Sequence, residues 1–322
     1  MEGRLKRLRS RARRRFDRFE PARILPFRGH GTATQAFVEG RVLERHRSQG
    51  SREVRVLAAV DAQSVELEVE ADGCFHGSLA LKEPLEPGWH EVEFELLESR
   101  DGADTRSTGE VLVPPDDAEF GVICGLDGTV FPTGTTQRLR MARAVRAEHP
   151  RTQPAFSGFA AFNRALKLGR TGMQSNPVFY LTKSPWERYE LCDAFLKVRD
   201  IPRGPLFMRD VEHDKRARIR HLLGLYPHLP FVLIGDSGQV DPELYAQVVE
   251  EHPGRIRAVY VCETSRRHRR EVRTIAQRVR EHDVPMLLAK NTTDAAAHAL
   301  ELGLIHPLFL RRPETSGGIR AP

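Results

Sequence analysis

Six short apolar runs, FGVIC, PVFYLT, GPLFM, PFVLIG, IRAVYV and PMLLA, lie between residues 120 and 289. Segments of helical period separate them, among them PWERYELCDAFLKV (185–198), KRARIRHLLGLY (215–226) and PELYAQVVEEH (242–252). A strand that is apolar at every position is covered on both faces, and strands joined through helices run parallel. This alternation predicts an α/β fold with a Rossmann-like parallel sheet over residues 118–310. In such sheets ligands bind beyond the carboxyl ends of the strands. Chemistry is therefore sought in the residues that follow each run.

The preceding segment has a different rhythm. In SVELEVEAD (64–72), Val65, Leu67 and Val69 alternate with glutamates, and in WHEVEFELL (89–97) Val92, Phe94 and Leu96 do the same. Strict alternation predicts antiparallel strands with one solvated face. Gly73, Gly77, Gly88 and Gly102 supply turns between them. With further strands near FVEGRVLE and GEVLVP, a small β-sandwich-like domain is expected over residues 26–115. Pro114, Pro115 and the two aspartates after them mark the boundary.

Charge is concentrated at one end. Residues 1–20 hold nine Lys or Arg and three Asp or Glu, and this local +6 equals the net charge of all 322 residues. Leu5, Leu8, Ala12, Phe16 and Phe19 fall on one helical face, and Pro21 ends the pattern. A basic amphipathic segment over residues 1–25 can lie on an anionic membrane surface through residues 4–19. The same pattern suits a solvated arm, or one that packs on its own protein or touches nucleic acid. In SRRHRREVRTIAQRVR (265–280), Val272, Ile275, Ala276 and Val279 recur at helical spacing, which predicts a helix packed on the sheet with a solvated arginine face. No nucleic-acid recognition motif is present, and no nucleic-acid partner is expected. No run approaches a membrane span, and no signal-peptide-like apolar core lies near residue 1. Cys74, Cys124, Cys192 and Cys262 lack metal-ligand spacing and read as reduced thiols, three of them in apolar contexts. A cytoplasmic protein, able to sit peripherally on a membrane, is the expectation. The residues after Pro313 read as a disordered tail, delimited as 311–322.

Four strand ends carry polar groups. The first run is followed by Gly125, Asp127, Gly128 and Thr129, the second by Thr182, Lys183 and Ser184. The third is followed by Arg209 and Asp210, with Lys215 opening the next helix, and the fourth by GDSGQVDPE with Asp236 and Asp241. Carboxylates suit Mg²⁺, whereas hydroxyl, backbone N–H and ammonium groups suit a phosphoryl group. Each element alone also has a bland reading, Asp127-Gly128 as a turn, Thr182 and Asp241 as helix caps, and Lys215 as a solvated helix residue.

Taken in order, these elements resemble the haloacid dehalogenase superfamily. More closely, residues 26–262 resemble the actin-patch-associated phosphatidate phosphatase family. The resemblance rests on RGHGTATQAFVEGRVLE (28–44), NPVFYLTKSPWERYELCDAFL (176–196), RGPLFMRD (203–210), the spacing to Lys215, and YPHLPFVLIGDSGQVDPELY (226–245). It implies a sheet of haloacid dehalogenase type after a β-rich domain. It also implies an Asp-x-Asp-x-Thr motif in which the first Asp attacks phosphorus and the second protonates the leaving alcohol. On this pattern Asp127 takes the acid/base position, while Thr182, Lys215 and Gly128 hold phosphoryl oxygens. Asp127, Asp236 and Asp241 would bind Mg²⁺. The implied ligand is phosphatidate or another phosphomonoester.

The nucleophile's position is Gly125. Glycine offers no carboxylate, so the covalent route is closed, and loss of a nucleophile costs on the order of 10⁴ to 10⁶ in rate. The expectation is a protein that binds a phosphate-bearing, anionic lipid ligand with Mg²⁺ but is catalytically impaired. The alternative is an active Mg²⁺-dependent phosphatidate phosphatase using an unusual nucleophile or a metal-bound water.

Overall fold

The computed structural model describes residues 22–43, 54–97, 105–130, 158–209, 214–238, 240–264 and 266–310. The basic segment at residues 4–19, Asp210 and the tail at 311–322 lie outside the described residues. Two units divide the chain, Met1–Val113 and Pro114–Pro322.

The first unit contains β1 (Arg23–Pro26), β2 (Gly29–Thr32), β3 (Gln35–Leu43), β4 (Arg55–Val60), β5 (Gln63–Glu68), β6 (Cys74–Ala80), β7 (Gly88–Leu97) and β8 (Arg106–Val113). The two facing sheets expected of a sandwich are joined here into one ladder, β1-β3-β2-β8-β7-β4-β5, with β6 on the other edge of β3. Its pairs are antiparallel except β2–β8, which is parallel and supplies the join. Alternation decides the faces, as it must when side chains switch sides every residue. Ala36, Val38 and Val42 of β3 and Val92, Phe94 and Leu96 of β7 point into a common core, where the Phe75 and Phe94 rings lie 5.6 Å apart.

In the second unit β9 (Gly121–Gly125), β10 (Val178–Pro185), β11 (Leu206–Arg209), β12 (Phe231–Asp236), β13 (Ile256–Cys262) and β14 (Met286–Ala289) form one sheet. It is parallel throughout, in the order β11-β10-β9-β12-β13-β14. Numbered within the unit this is 3-2-1-4-5-6, the doubly wound order. Every residue of β9 and β12 is buried, as uninterrupted apolar strands require. The helices are α1 (Phe159–Leu168), α2 (Tyr189–Val198), α3 (Lys215–Leu225), α4 (Asp241–Glu251), α5 (Arg269–Arg280) and α6 (Thr292–Glu301). Val272, Ile275, Ala276 and Val279 are the buried residues of α5, while Arg278 on its flank pairs with Glu243 and Glu250 of α4.

Strand order reverses between β9 and β12, the place where sheets of this order form a ligand crevice beyond the carboxyl ends of the strands. Asp214 fixes one wall, because its side chain accepts from Ala217 N at 2.8 Å and so sets Lys215 as the first residue of α3. All four cysteines are free, and Cys124, Cys192 and Cys262 are buried. Among the described residues no helix is long and apolar enough to cross a membrane.

Candidate active site

Beyond β9 the chain turns sharply. Val130 N donates to Leu126 O at 2.9 Å, and the Thr129 hydroxyl donates to Gly125 O, closing the turn on itself. Gly128 sits inside it at φ 79°, a conformation that L side chains rarely adopt. A Cβ there would also lie 2.5 Å from Asp236 Cγ, so glycine is required twice over. The turn presents Asp127 to the end of β10. Its Oδ1 accepts from the Thr182 hydroxyl at 3.1 Å and its Oδ2 from Lys183 N at 2.6 Å. Thr182 Oγ1 in turn accepts from Ser184 N at 3.0 Å. Burial raises the pKa of Asp127, while the Lys183 amide, the Thr182 hydroxyl and the charge of Lys215 pull it back. A carboxyl held this way is suited to keeping a proton and giving it up to a departing oxygen.

The opposite wall is the turn after β12. Asp236 Oδ1 accepts from Gly238 N at 2.7 Å and from the Thr264 hydroxyl at 3.2 Å. Ser237 ties the turn to the end of β13, donating from its N to Cys262 O at 2.9 Å and accepting from Thr264 N at 3.0 Å. Asp236 Oδ2 is buried without a hydrogen-bond partner among the described residues. Burial above all, and then the charge of Asp241, raise the pKa of Asp236 from 3.8 to about 6. The Gly238 amide, Thr264 and Lys215 oppose that shift.

Asp241 opens α4 and turns inward. Its Oδ2 accepts from Asp236 N at 3.3 Å, and its Oδ1 lies 2.7 Å from Lys215 Nζ. That second contact is an ion pair without hydrogen-bond alignment. Lys215 Nζ also stands 5.2 Å from the centre of the Tyr245 ring, one turn beyond Asp241 on α4. Tyr245 is held in place by donating its hydroxyl to Ile234 O at 2.8 Å.

These contacts decide what Gly125 means in three dimensions. A Cβ built on Gly125 would collide with Lys215 Nζ and come 3.2 Å from Asp241 Oδ2. The ammonium of Lys215 therefore fills the place from which a side chain at 125 would reach into the crevice. Among the described residues neither Cys124 nor Asp127 is set to replace the missing nucleophile. Cys124 is fully buried, and burial pushes its thiol well above the ordinary range. The oxygens of Asp127 are both engaged with β10.

The expected site residues thus fall into three linked groups: Asp127 with Thr182, Gly128 against Asp236, and Gly125 with Lys215 and Asp241. The charge of Lys215 is felt at both Asp127 and Asp236, which makes the three groups one electrostatic unit. As placed, the three carboxylates do not make a Mg²⁺ set. Asp127 is bonded to β10, Asp241 is paired with Lys215, and one oxygen of Asp236 is left open. Among the described residues no three acidic, His or Cys groups gather in a metal-holding arrangement. Two residues of the crevice were not anticipated. Thr264 follows the carboxyl end of β13, the fifth strand of the sheet, where ligand-binding groups of such sheets lie. Tyr245 lies four residues beyond Asp241 and shares its helical face.

Residues 120–263 match the family model described as the phosphatidate phosphatase APP1, catalytic domain. Over this segment the chain is APP1-like. Among curated proteins it is similar to phosphatidate phosphatase APP1 of Saccharomyces cerevisiae, 26% identical over 155 residues. The alignment takes in 44% of this chain and 25% of the yeast protein, so the chain spans about a quarter of the length of that relative. Among solved structures, a carbohydrate acetylesterase from Xanthomonas citri aligns with 63% of this chain and 57% of its own, at 11% identity and a TM-score of 0.27. A likeness that distant carries no argument. The match of 120–263 begins one residue before β9 and ends one residue after β13, so Gly125, Asp127, Thr182, Lys215, Asp236 and Asp241 lie inside it, whereas the stretch 28–44 lies outside it.

Proposed function

We propose that the second unit is an APP1-like domain of haloacid dehalogenase type that meets a phosphate monoester and does not hydrolyse it through an aspartyl-phosphate. The observation that carries this reading is the place of Lys215 Nζ, where a side chain at residue 125 would begin. Covalent phosphoryl transfer needs an attacking oxygen at that point, and no carboxylate, thiolate or hydroxyl among the described residues is set to supply one. Asp127 is the proposed acid partner. Asp127 keeps a raised pKa and a fixed orientation on β10. The ligand class follows from the family, whose description names a phosphatidate phosphatase. Phosphate capture would have Lys215 exchange Asp241 for a phosphoryl oxygen, with the amino-terminal ends of α3 and α4 facing the same anion. The basic residues 4–19 are proposed to bring the protein peripherally onto an anionic lipid surface.

Phosphate release from vesicles containing phosphatidate, with Mg²⁺ in the buffer, tests the reading on the full chain. The natural protein is expected to release none above background, and Gly125→Asp to gain activity that Asp127→Asn removes. Turnover by the natural protein equal to that of Gly125→Asp, and abolished by Asp127→Asn, would overturn it.

A further inference from the structure

We propose that the ammonium of Lys215 is the resident cation of this crevice, in place of a divalent metal, and that the protein takes up no Mg²⁺ there on its own. The reading begins with Asp241, whose side chain is 2% exposed and has both oxygens committed. One faces Lys215 Nζ at 2.7 Å and the other accepts from Asp236 N at 3.3 Å. A metal arriving at Asp241 would have to displace a charge that is already there. Asp127 is committed as well, to Thr182 and to Lys183 N. Of the oxygens of these three carboxylates, Asp236 Oδ2 is the one with neither a hydrogen bond nor an ion pair among the described residues, and Mg²⁺ demands a near-octahedral oxygen shell while shedding its waters reluctantly.

Glycine at position 125 is what makes the arrangement possible. Lys215 reaches from the first turn of α3 into space that any Cβ on residue 125 would claim. There it neutralises Asp241 and lies over the Tyr245 ring, two favourable contacts for one ammonium. A dication drawn to Asp236 would meet that ammonium at close range. Without a carboxylate at 125 there is no added negative charge to hold both cations together. The inference concerns the metal alone, so it stands or falls independently of whether the crevice binds phosphate.

Mn²⁺ titration of the full-length protein, followed by the electron paramagnetic resonance signal of the free ion, tests the proposal without any substrate. The natural protein should leave that signal undiminished at millimolar Mn²⁺. Lys215→Met, which bares Asp241 beside Asp236, should bind one Mn²⁺ at least about tenfold more tightly, the direction Coulomb's law requires when a like charge is removed at a few ångströms. Lys215→Met with Asp241→Asn should lose that gain. Stoichiometric Mn²⁺ uptake by the natural protein, competed by Mg²⁺, would overturn the proposal whatever the stability of the variants. A folded Lys215→Met that gains nothing would overturn it equally.

Discussion

Asp236→Asn should make the second unit more stable at neutral pH and leave it unchanged in acid. The carboxylate is 1% exposed, faces the charge of Asp241, and has one oxygen without a partner among the described residues. Its pKa rises from 3.8 to about 6, so the folded state holds the Asp236 proton more tightly than the unfolded chain does. A carboxyl shifted in this direction contributes stability below its unfolded pKa and loses it as pH climbs through the folded value. At about 1.4 kcal/mol per pKa unit, a rise of roughly two units amounts to about 3 kcal/mol lost between pH 4 and pH 6.5. Asparagine is nearly isosteric with the protonated acid and keeps an oxygen for Gly238 N and the Thr264 hydroxyl. Those two bonds weaken somewhat when the acceptor is neutral, which lowers the expected gain at pH 7 to about 1–3 kcal/mol.

Urea denaturation in EDTA at a series of pH values measures this directly. Two units need not unfold together, so a probe confined to the second is required. The chain has two tryptophans, Trp89 in the first unit and Trp186 in the second, and a Trp89→Phe background makes fluorescence report only the latter. Carboxylates that do not feel Asp236 titrate alike in both proteins and cancel in the difference. A stability difference that is flat from pH 4 to pH 7.5, or an asparagine variant less stable at pH 7, would show that the carboxylate is compensated and refute the reasoning.

Three further outcomes can be read with the same fluorescence assay. Tyr245→Phe removes the buried hydroxyl that donates to Ile234 O, and should cost about 1–2 kcal/mol with no added pH dependence. Gly128→Ala imposes both a disfavoured φ and a Cβ against Asp236, and should cost more than about 2 kcal/mol. Gly224→Ala, in α3 with nothing within 4 Å of the added methyl, should instead stabilise by about 0.5–1 kcal/mol.

Much of the second unit was legible because burial on both faces writes itself into sequence as unbroken apolar runs. All six strands appear as such runs, and α2, α3, α4 and α5 as periodic ones. The elements that were not singled out have weaker signals. In α6 the buried residues are Ala295 and Ala299, which mark a helical face only faintly, and the buried face of α1 includes the polar Asn163. β2, with the sequence GHGT, has no aliphatic side chain at all. It is a strand because β3 and β8 flank it, and His30 stacks on Phe37 at 5.1 Å. The joining of the first unit into one sheet depends on that same strand and was equally invisible. In the crevice the carboxylates could be read from strand ends, but their pairing could not. Lys215 meets Gly125 across ninety residues of sequence, and which oxygens it engages is set by the depth of α3 and α4 against the sheet.

Gly125, Gly128 and Gly235 border the crevice, and they are not alike. Gly128 is demanded by its φ and by Asp236. Gly235 is demanded by packing, since a Cβ there would come 2.5 Å from Asp241 Oδ2 and 2.8 Å from the Tyr245 ring. Gly125 has neither reason. It has no left-handed φ, and what its Cβ would strike is the far end of a lysine side chain with four rotatable bonds. The backbone at 125 can therefore carry a side chain once Lys215 swings aside, and the fold does not require glycine there. What glycine bears on is the charge of the crevice, since it brings no carboxylate and Lys215 Nζ occupies the space beside it. That separation of fold from chemistry is why Gly125→Asp should fold and why its gain or failure of activity reports on the nucleophile rather than on the scaffold.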